Sequence, residues 1–274
     1  MPVSQSDKAA RFRALHEAPG AFVIPNPWDA GSARVLAGLG FQALATSSGA
    51  EAGTLGRRDG KVTRAEALAH CRAIVEATDL PVSADLEKCF ADAPAEAAET
   101  IRLAASVGLV GGSIEDATGN KDKPLFDPAA ATERVAAAVA TARSLGFPFT
   151  LTARTESFLR GNPNLDDVIR RLQAFEQAGA DVLMAPGLPD LAAVRAVCAA
   201  VKKPVNFMVG IKGKSFTAAE LTAAGVKRIS LATSLYRTAM SGLIEAAREV
   251  KEGGTFGYVD RGVSSADLAG FMEG

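Results

Sequence analysis

Eight short apolar segments recur along the chain, each followed by a stretch of helical periodicity, and few folds accept that alternation. The segments span residues 21–28, 43–48, 82–86, 111–115, 149–154, 182–185, 205–209 and 228–232. A strand that leads through a helix to the next strand forms a parallel pair with a right-handed crossover. Eight such units close into an α/β barrel of the (β/α)8 TIM type more naturally than they extend an open sheet. The competing doubly wound sheet carries a GxGxxG turn after its first strand, where this chain reads PNPWDAGSA. Helix stops agree with the barrel: Gly40, Gly146, Gly179 and Gly225 each stand where a helix ends in a left-handed cap before a strand. Asp29 is placed to cap the first crossover helix. The expected organisation is one barrel domain over residues 1–274, with a short N-terminal helix and a C-terminal helical tail near residues 264–272.

Charge narrows the partners. The 30 basic and 31 acidic residues are interspersed and leave a net charge of -1, which argues against nucleic acid and acidic membrane surfaces. Small molecules and copies of the chain itself are the expected partners. Asp7, Lys8, Arg11 and Arg13 interrupt the N-terminus where a signal peptide needs an apolar run, and no apolar stretch has spanning length, so a cytoplasmic protein is expected. Cys71, Cys89 and Cys198 form neither a CxxC pair nor an even disulfide framework. The two histidines, His16 and His70, fall in helical stretches assigned to the outer layer, which disfavours a histidine-bound zinc or a Ser-His-Asp triad.

Oxygen chemistry remains at the strand ends. Asp59 follows strand two, Asp85 and Glu87 end strand three, Glu115 and Asp116 end strand four, and Glu156 follows strand five. Two carboxylates about 4 Å apart repel by roughly 4 kcal/mol at an effective dielectric near 20, so such a rim needs a cation, basic partners or protons. Mg²⁺ suits it, because it takes oxygen ligands and keeps several waters. Strand alternation lets Ser83, Asp85 and Glu87 face inward together and makes Glu115 and Asp116 diverge. Arg154 closes strand five, where a guanidinium is suited to clamp a carboxylate. Thr46, Ser47, Ser48 and Gly49 offer hydroxyls and close backbone amides to an anion. Asn206 on strand seven completes the candidate binding set.

The ordered segments NPWDAGSARVL, ATSSGAEAGTLGRRDG, PVSADLE, GSIEDAT and LTARTES resemble the isocitrate lyase/phosphoenolpyruvate mutase superfamily over about residues 20–250. The resemblance implies a (β/α)8 barrel dependent on Mg²⁺ or Mn²⁺, often with the last helix swapped between subunits, in a homodimer or homotetramer. Substrates of such enzymes are 2-oxo or 2-hydroxy carboxylic acids, cleaved or rearranged through a metal-stabilised enolate. By position, Asp85 and Glu115 match metal-site acids and Asp59 the loop aspartate of that network. Thr46, Ser47 and Ser48 match the segment that binds the substrate, and Arg154 the arginine that grips a carboxylate.

Three departures from the family pattern shape the functional expectation. Ser83 stands where the first of two spaced aspartates is usual, which shifts metal ligation to Asp85, with Glu87 as a compensating acid. The loop after strand four reads TGNKDKPLFD, with no KKCGH cysteine as acid/base; Lys121 or Lys123 is left as a lid residue, and Lys121 as a candidate catalytic group. Pro186 follows strand six, near where relatives carry a histidine or a glutamate. The leading expectation is a Mg²⁺-dependent lyase that cleaves a C–C bond in a small 2-oxo or 2-hydroxy dicarboxylic acid, with Glu87, a loop lysine or water as proton donor. Alternatives are C–P chemistry of the phosphoenolpyruvate mutase or phosphonopyruvate hydrolase kind, using Asn120, Lys121 and GIKGK, a Schiff-base aldolase using Lys212 or Lys214, and a non-catalytic oxo-acid-binding barrel.

Overall fold

The computed structural model describes residues 3–273. Strands β1 (Phe22–Ile24), β2 (Leu44–Ala45), β3 (Val82–Ala84), β4 (Gly111–Glu115), β5 (Thr150–Arg154), β6 (Val182–Met184), β7 (Val205–Met208) and β8 (Arg228–Ser230) are all parallel. Their order is β1-β8-β7-β6-β5-β4-β3-β2, without the mid-sheet reversal of a doubly wound fold. The two ends meet at one seam. Ala45 N–H donates to Pro25 O at 3.0 Å, and the Asn26 amide donates to Thr46 O at 2.8 Å. The barrel expected from the sequence is therefore the fold.

Helices α1 (Gln5–Glu17), α2 (Ala30–Gly38), α3 (Ser48–Thr54), α4 (Arg64–Glu76), α5 (Pro94–Ser106), α6 (Pro128–Arg143), α7 (Leu165–Gln177), α8 (Leu191–Ala200), α9 (Ala218–Ala223), α10 (Ser234–Arg248) and α11 (Ser265–Gly270) connect and flank the strands. Asp29 caps α2 in a capping box with Ser32, as the sequence predicts. The main core lies between strands and helices and buries Ile74, Ile101, Leu151, Leu172 and Phe175. Each such side chain contributes roughly 1.5–3 kcal/mol. Glycines 111 and 112 let β4 sit this close to its neighbours: a Cβ on Gly111 would lie 2.9 Å from both a Phe12 ring atom and Thr150 O.

Helix α1 plugs the N-terminal end of the barrel. Phe12 is fully buried there in a second cluster with Ile24 and Val110. His16, expected on the outer layer, is also buried in this plug, its ring edge-on to Phe12 and Phe22 at centroid distances of 4.7 and 5.0 Å. The reason is that α1 precedes the first strand and is free to cross the barrel end instead of packing beside a strand. Burial, then the Arg228 charge, lowers the His16 pKa from 6.5 to about 3. The unfolded chain therefore binds a proton that the folded chain refuses, so stability present above about pH 6.5 is lost as pH falls toward 3. Replacing His16 with Gln should flatten the acid limb of a urea-unfolding series by up to about 1.4 kcal/mol per pH unit, and equal slopes in both proteins would refute this.

Three segments depart from the sequence expectation. After β2, the stretch read as a long loop folds into α3, whose N-cap Ser47 accepts from Ala50 N–H at 3.4 Å. Strand β3 stops at Ala84, and Glu87 sits in the left-handed region at φ 49°, so the alternation that aligns Ser83, Asp85 and Glu87 ends at Asp85. At the C-terminus, α10 has no buried residue along its 15, with Leu243 and Ile244 at 59% and 49% exposure. The predicted tail helix is α11, and the tail returns to its own chain. The Phe271 ring covers Gly38 of α2, and Arg34 donates to Met272 O at 2.6 Å. No helix among the described residues is long and apolar enough to cross a membrane.

Candidate active site

The C-terminal ends of the strands surround a cavity of about 230 Å³. This is below the roughly 300–1,000 Å³ of pockets for drug-sized ligands. Thr46, Ser47, Ser48, Gly49, Asp59, Asp85, Arg154 and Asn206 all line it. Glu115, Glu87 and Lys121 do not. Glu115 stands beside the lining against Arg154, Glu87 sits at the rim beyond Asp85, and Lys121 is exposed in the loop after β4. Lys123 is tied to Asp127 at 2.7 Å, and Lys214 donates to Gly187 O at 3.1 Å, so the lysines named from sequence stay outside the lining.

Asp85 is the most constrained acid in the cavity. Its Oδ2 accepts from the Ser48 amide at 3.2 Å and the Ser48 hydroxyl at 3.0 Å, while Oδ1 accepts from Glu87 N–H at 3.3 Å and the Ser113 hydroxyl at 3.4 Å. Its own N–H donates to Thr46 Oγ1 at 3.0 Å. Ser48, expected to hold substrate, thus also fixes the Asp85 carboxylate, and Thr46 fixes the Asp85 backbone. Short polar residues at the β2 end make this possible, because α3 begins there and turns the Ser48 amide toward β3.

Arg154 is surrounded by acids. Its Nε lies 2.5 Å from Glu156 and 3.5 Å from Glu115, and Nη1 lies 3.7 Å from Asp85. Burial works against its charge, but Glu156, Glu115 and Asp85 outweigh burial and hold its pKa above the ordinary value. Arg160 adds a second cation, 3.6 Å from Glu156 and 3.9 Å from Glu115. Two arginines do not neutralise the whole rim. Burial, then Asp85 and Asp59, raises the Glu87 pKa to about 7, and burial raises that of Glu115 despite Arg154. Glu115 and Asp116 diverge as expected: Asp116 turns into the layer behind, accepting from Thr155, the Glu156 amide and Arg171 at 2.8, 2.8 and 3.1 Å.

Neither a histidine nor a cysteine is among the residues that line this cavity. His70 Nε2 lies 2.8 Å from Trp28 O, in the helix-packing role expected of it. Burial raises the Cys89 thiol to about 12, so it carries no thiolate at neutral pH. Backbone strain is concentrated at the rim. Glu87, Cys89, Phe90 and Ala232 are the non-glycine residues with positive φ among those described, three of them in the loop after β3, at a cost of roughly 1–2 kcal/mol each. Sequence reading missed Asn26, Thr152, Ser230 and Arg228 in the lining, and Arg160 beside it. A signal existed for Arg228: it and Ser230 are two polar residues at the same parity in the eighth strand.

No three acidic, histidine or cysteine side chains among the described residues converge as a preformed metal cage. The donor set nonetheless fits an oxygen-seeking divalent cation held largely through water. Asp59 and Asp85 line the cavity, the ligands at hand are all oxygen, and neighbouring carboxyls carry raised pKa values from uncompensated burial and charge.

A family model described as phosphoenolpyruvate phosphomutase matches residues 12–251. The chain belongs to that family. A Burkholderia cenocepacia protein, whose crystal structure bears the provisional description lyase/mutase, is 51% identical, with 98% of each chain covered and a TM-score of 0.97. The 2-methylisocitrate lyase of Halalkalibacterium halodurans is 28% identical over 93% of this chain and 85% of that protein. An oxaloacetate acetylhydrolase, solved with its product oxalate, is 25% identical, with 98% and 95% coverage and a TM-score of 0.89. The superfamily expected from the five motifs is thus the one to which this enzyme belongs, a superfamily of lyases and mutases.

Proposed function

We propose that this family member is a Mg²⁺- or Mn²⁺-dependent lyase that cleaves a C–C bond in a small 2-oxo or 2-hydroxy dicarboxylic acid. The observation that carries the reading is Asp85, locked by four donors inside a small cavity whose rim holds more carboxyl groups than cations. Asp85 would hold the cation, with Asp59 and Glu115 as the neighbouring acids that would complete its oxygen environment. The cation, when bound, supplies Lewis-acid polarisation of a substrate oxygen. The Ser47 hydroxyl and the Gly49 amide region orient the substrate carboxylate. Arg154, fixed by Glu156, presents positive charge toward oxygen on which negative charge develops, and its charge needs no reorganisation during the reaction. Glu87, beside Asp59 and Asp85 at the rim, is the acid placed to return a proton to the product. Strain at Glu87, Cys89 and Phe90 keeps that loop in a shape the local sequence would not choose.

Chelation tests the reading. Dialysis against EDTA should abolish turnover of a panel of 2-oxo and 2-hydroxy dicarboxylates, followed by mass spectrometry, and Mg²⁺ or Mn²⁺ should restore it. Turnover that survives chelation, or none on any member of the panel with metal present, would rule the proposal out.

We further infer that the enzyme works as a homo-oligomer in which α10 packs on a second copy. The helix after the last strand normally buries a face against its own barrel, whereas α10 has no fully buried residue, touches the core only through half-buried Leu235 near its start, and exposes Leu243 and Ile244. Leu243→Lys with Ile244→Lys should lower the mass in analytical ultracentrifugation to that of the single chain. An unchanged mass in the double variant would overturn this arrangement.

A further inference from the structure

On the floor of the same cavity, one cation stands without an anion. Arg228 opens β8 and is buried, with 6% exposure, yet it contributes to the cavity lining. Its Nε donates to Asn206 Oδ1 at 2.8 Å, Nη2 donates to Thr152 Oγ1 at 2.8 Å, and Nη1 lies 3.4 Å from His16 Nε2. All three partners are neutral. No carboxylate pairs with it among the described residues, and burial alone lowers its pKa, to about 9, which leaves it charged at neutral pH. The guanidinium has five N–H groups, and these three contacts leave one on each Nη without a protein acceptor.

Filling space does not account for such a residue. Barrel interiors are layered with valine, isoleucine and leucine. Two arginines buried away from the cavity are engaged by protein acceptors: Arg171 meets Asp116 at 3.1 Å and Asp167 at 2.9 Å, and Arg134 donates to the carbonyls of Lys88, Ala91 and Asp92 at 2.6 Å each. Arg154, at the acid-rich rim, is likewise met by three carboxylates. Arg228 is the buried arginine of the cavity lining, and it is held there by neutral side chains that leave its charge without a carboxylate. Asn206 is the main positioning residue. Its Oδ1 must face Nε, which can only donate, and its Nδ2 donates to Ser230 Oγ at 3.0 Å, so both ends of the amide are committed.

We propose that Arg228, held by Asn206 and Thr152 beside Ser230, grips one carboxylate of the substrate on the cavity floor and so selects dicarboxylic over monocarboxylic acids. The inference rests on the oxo-acid reading above and deepens it by assigning the second acid group a receptor. A planar guanidinium is matched to a carboxylate in two-point geometry, and burial of Arg228 strengthens the contact. Asp85 lies past the end of β3 and Arg228 at the start of β8, so the reacting end and the gripped end of the substrate meet different levels of the barrel.

Binding of three acids to the Mg²⁺-loaded protein by calorimetry tests this: oxalate for the rim, malate as a 2-hydroxy diacid, and lactate as its monoacid counterpart. Wild type should bind malate at least about 30-fold tighter than lactate. Arg228→Gln, which keeps a polar side chain inside the barrel, should bring malate to the lactate level while oxalate binding stays within about threefold. Arg228→Lys, a point charge without the fork, should fall between them. A malate-to-lactate preference that survives in Arg228→Gln overturns the proposal. So does a wild type without that preference, a result that needs no variant to fold. Wild type that binds oxalate without preferring malate removes only the role of Arg228. Wild type that binds none of the three acids removes the oxo-acid reading itself, and this inference with it.

Discussion

Asp85→Ala lowers kcat/KM on the proposed dicarboxylate by about 1,000-fold, the loss of roughly 4 kcal/mol of transition-state stabilisation. The side chain is the one acid that both lines the cavity and is pinned by donors from two other strand ends, Ser48 after β2 and Ser113 in β4. Its removal takes away the proposed anchor of the divalent ion and frees the Ser48 hydroxyl at once. The fold persists, because the side chain stays partly exposed and Ser48 and Ser113 can turn to water. Circular dichroism and thermal unfolding of the variant should match wild type, while steady-state rates in excess Mg²⁺ collapse. Activity within tenfold of wild type would remove Asp85 from the mechanism.

Arg154→Met destabilises the folded protein by about 3–5 kcal/mol, the cost of leaving buried charges without their partner. Asp85, Glu115 and Glu156 all face that guanidinium, and Glu115 and Glu156 are almost completely buried. Arg160 compensates only partly, since it sits half exposed and 3.6–3.9 Å from two of the three acids. Arg154→Lys should recover much of the stability through its charge but little of the activity, because one ammonium cannot face three carboxylates and a substrate in a plane. Urea unfolding gives the first quantity and kcat/KM the second. If Arg154→Met costs under about 1 kcal/mol, the acids at the rim are neutralised by some means other than this arginine.

Much of the barrel is legible along the chain because its signals are local. The cap of α2 at Asp29 and the apolar run of β6 lie within a few neighbouring residues. The placement of Thr46 to Gly49, Asp59, Asp85 and Arg154 in one cavity follows from the same alternation, since every parallel strand of a barrel delivers its C-terminal end to one face. Alternation fails where the backbone leaves the strand. Glu87 is two residues past Asp85, yet a left-handed turn carries it to the rim. Lys121 belongs to a loop whose path depends on contacts such as Lys88 Nζ to Thr118 O, at 2.9 Å, which no spacing in the sequence announces.

Periodicity determined the fold class, strand-end residues the oxygen-rich rim, and five ordered motifs the resemblance to the superfamily. Only the tertiary structure decided which charges meet. It enclosed Arg154 in three carboxylates, turned Asp116 away toward Arg171, drew His16 beneath the barrel and left Arg228 without a counter-ion. The physical reason is range. Hydrophobic alternation and capping act between residues a few positions apart, whereas the energy of a buried charge depends on groups hundreds of residues distant, such as His16 and Arg228, that only closure of the barrel brings together.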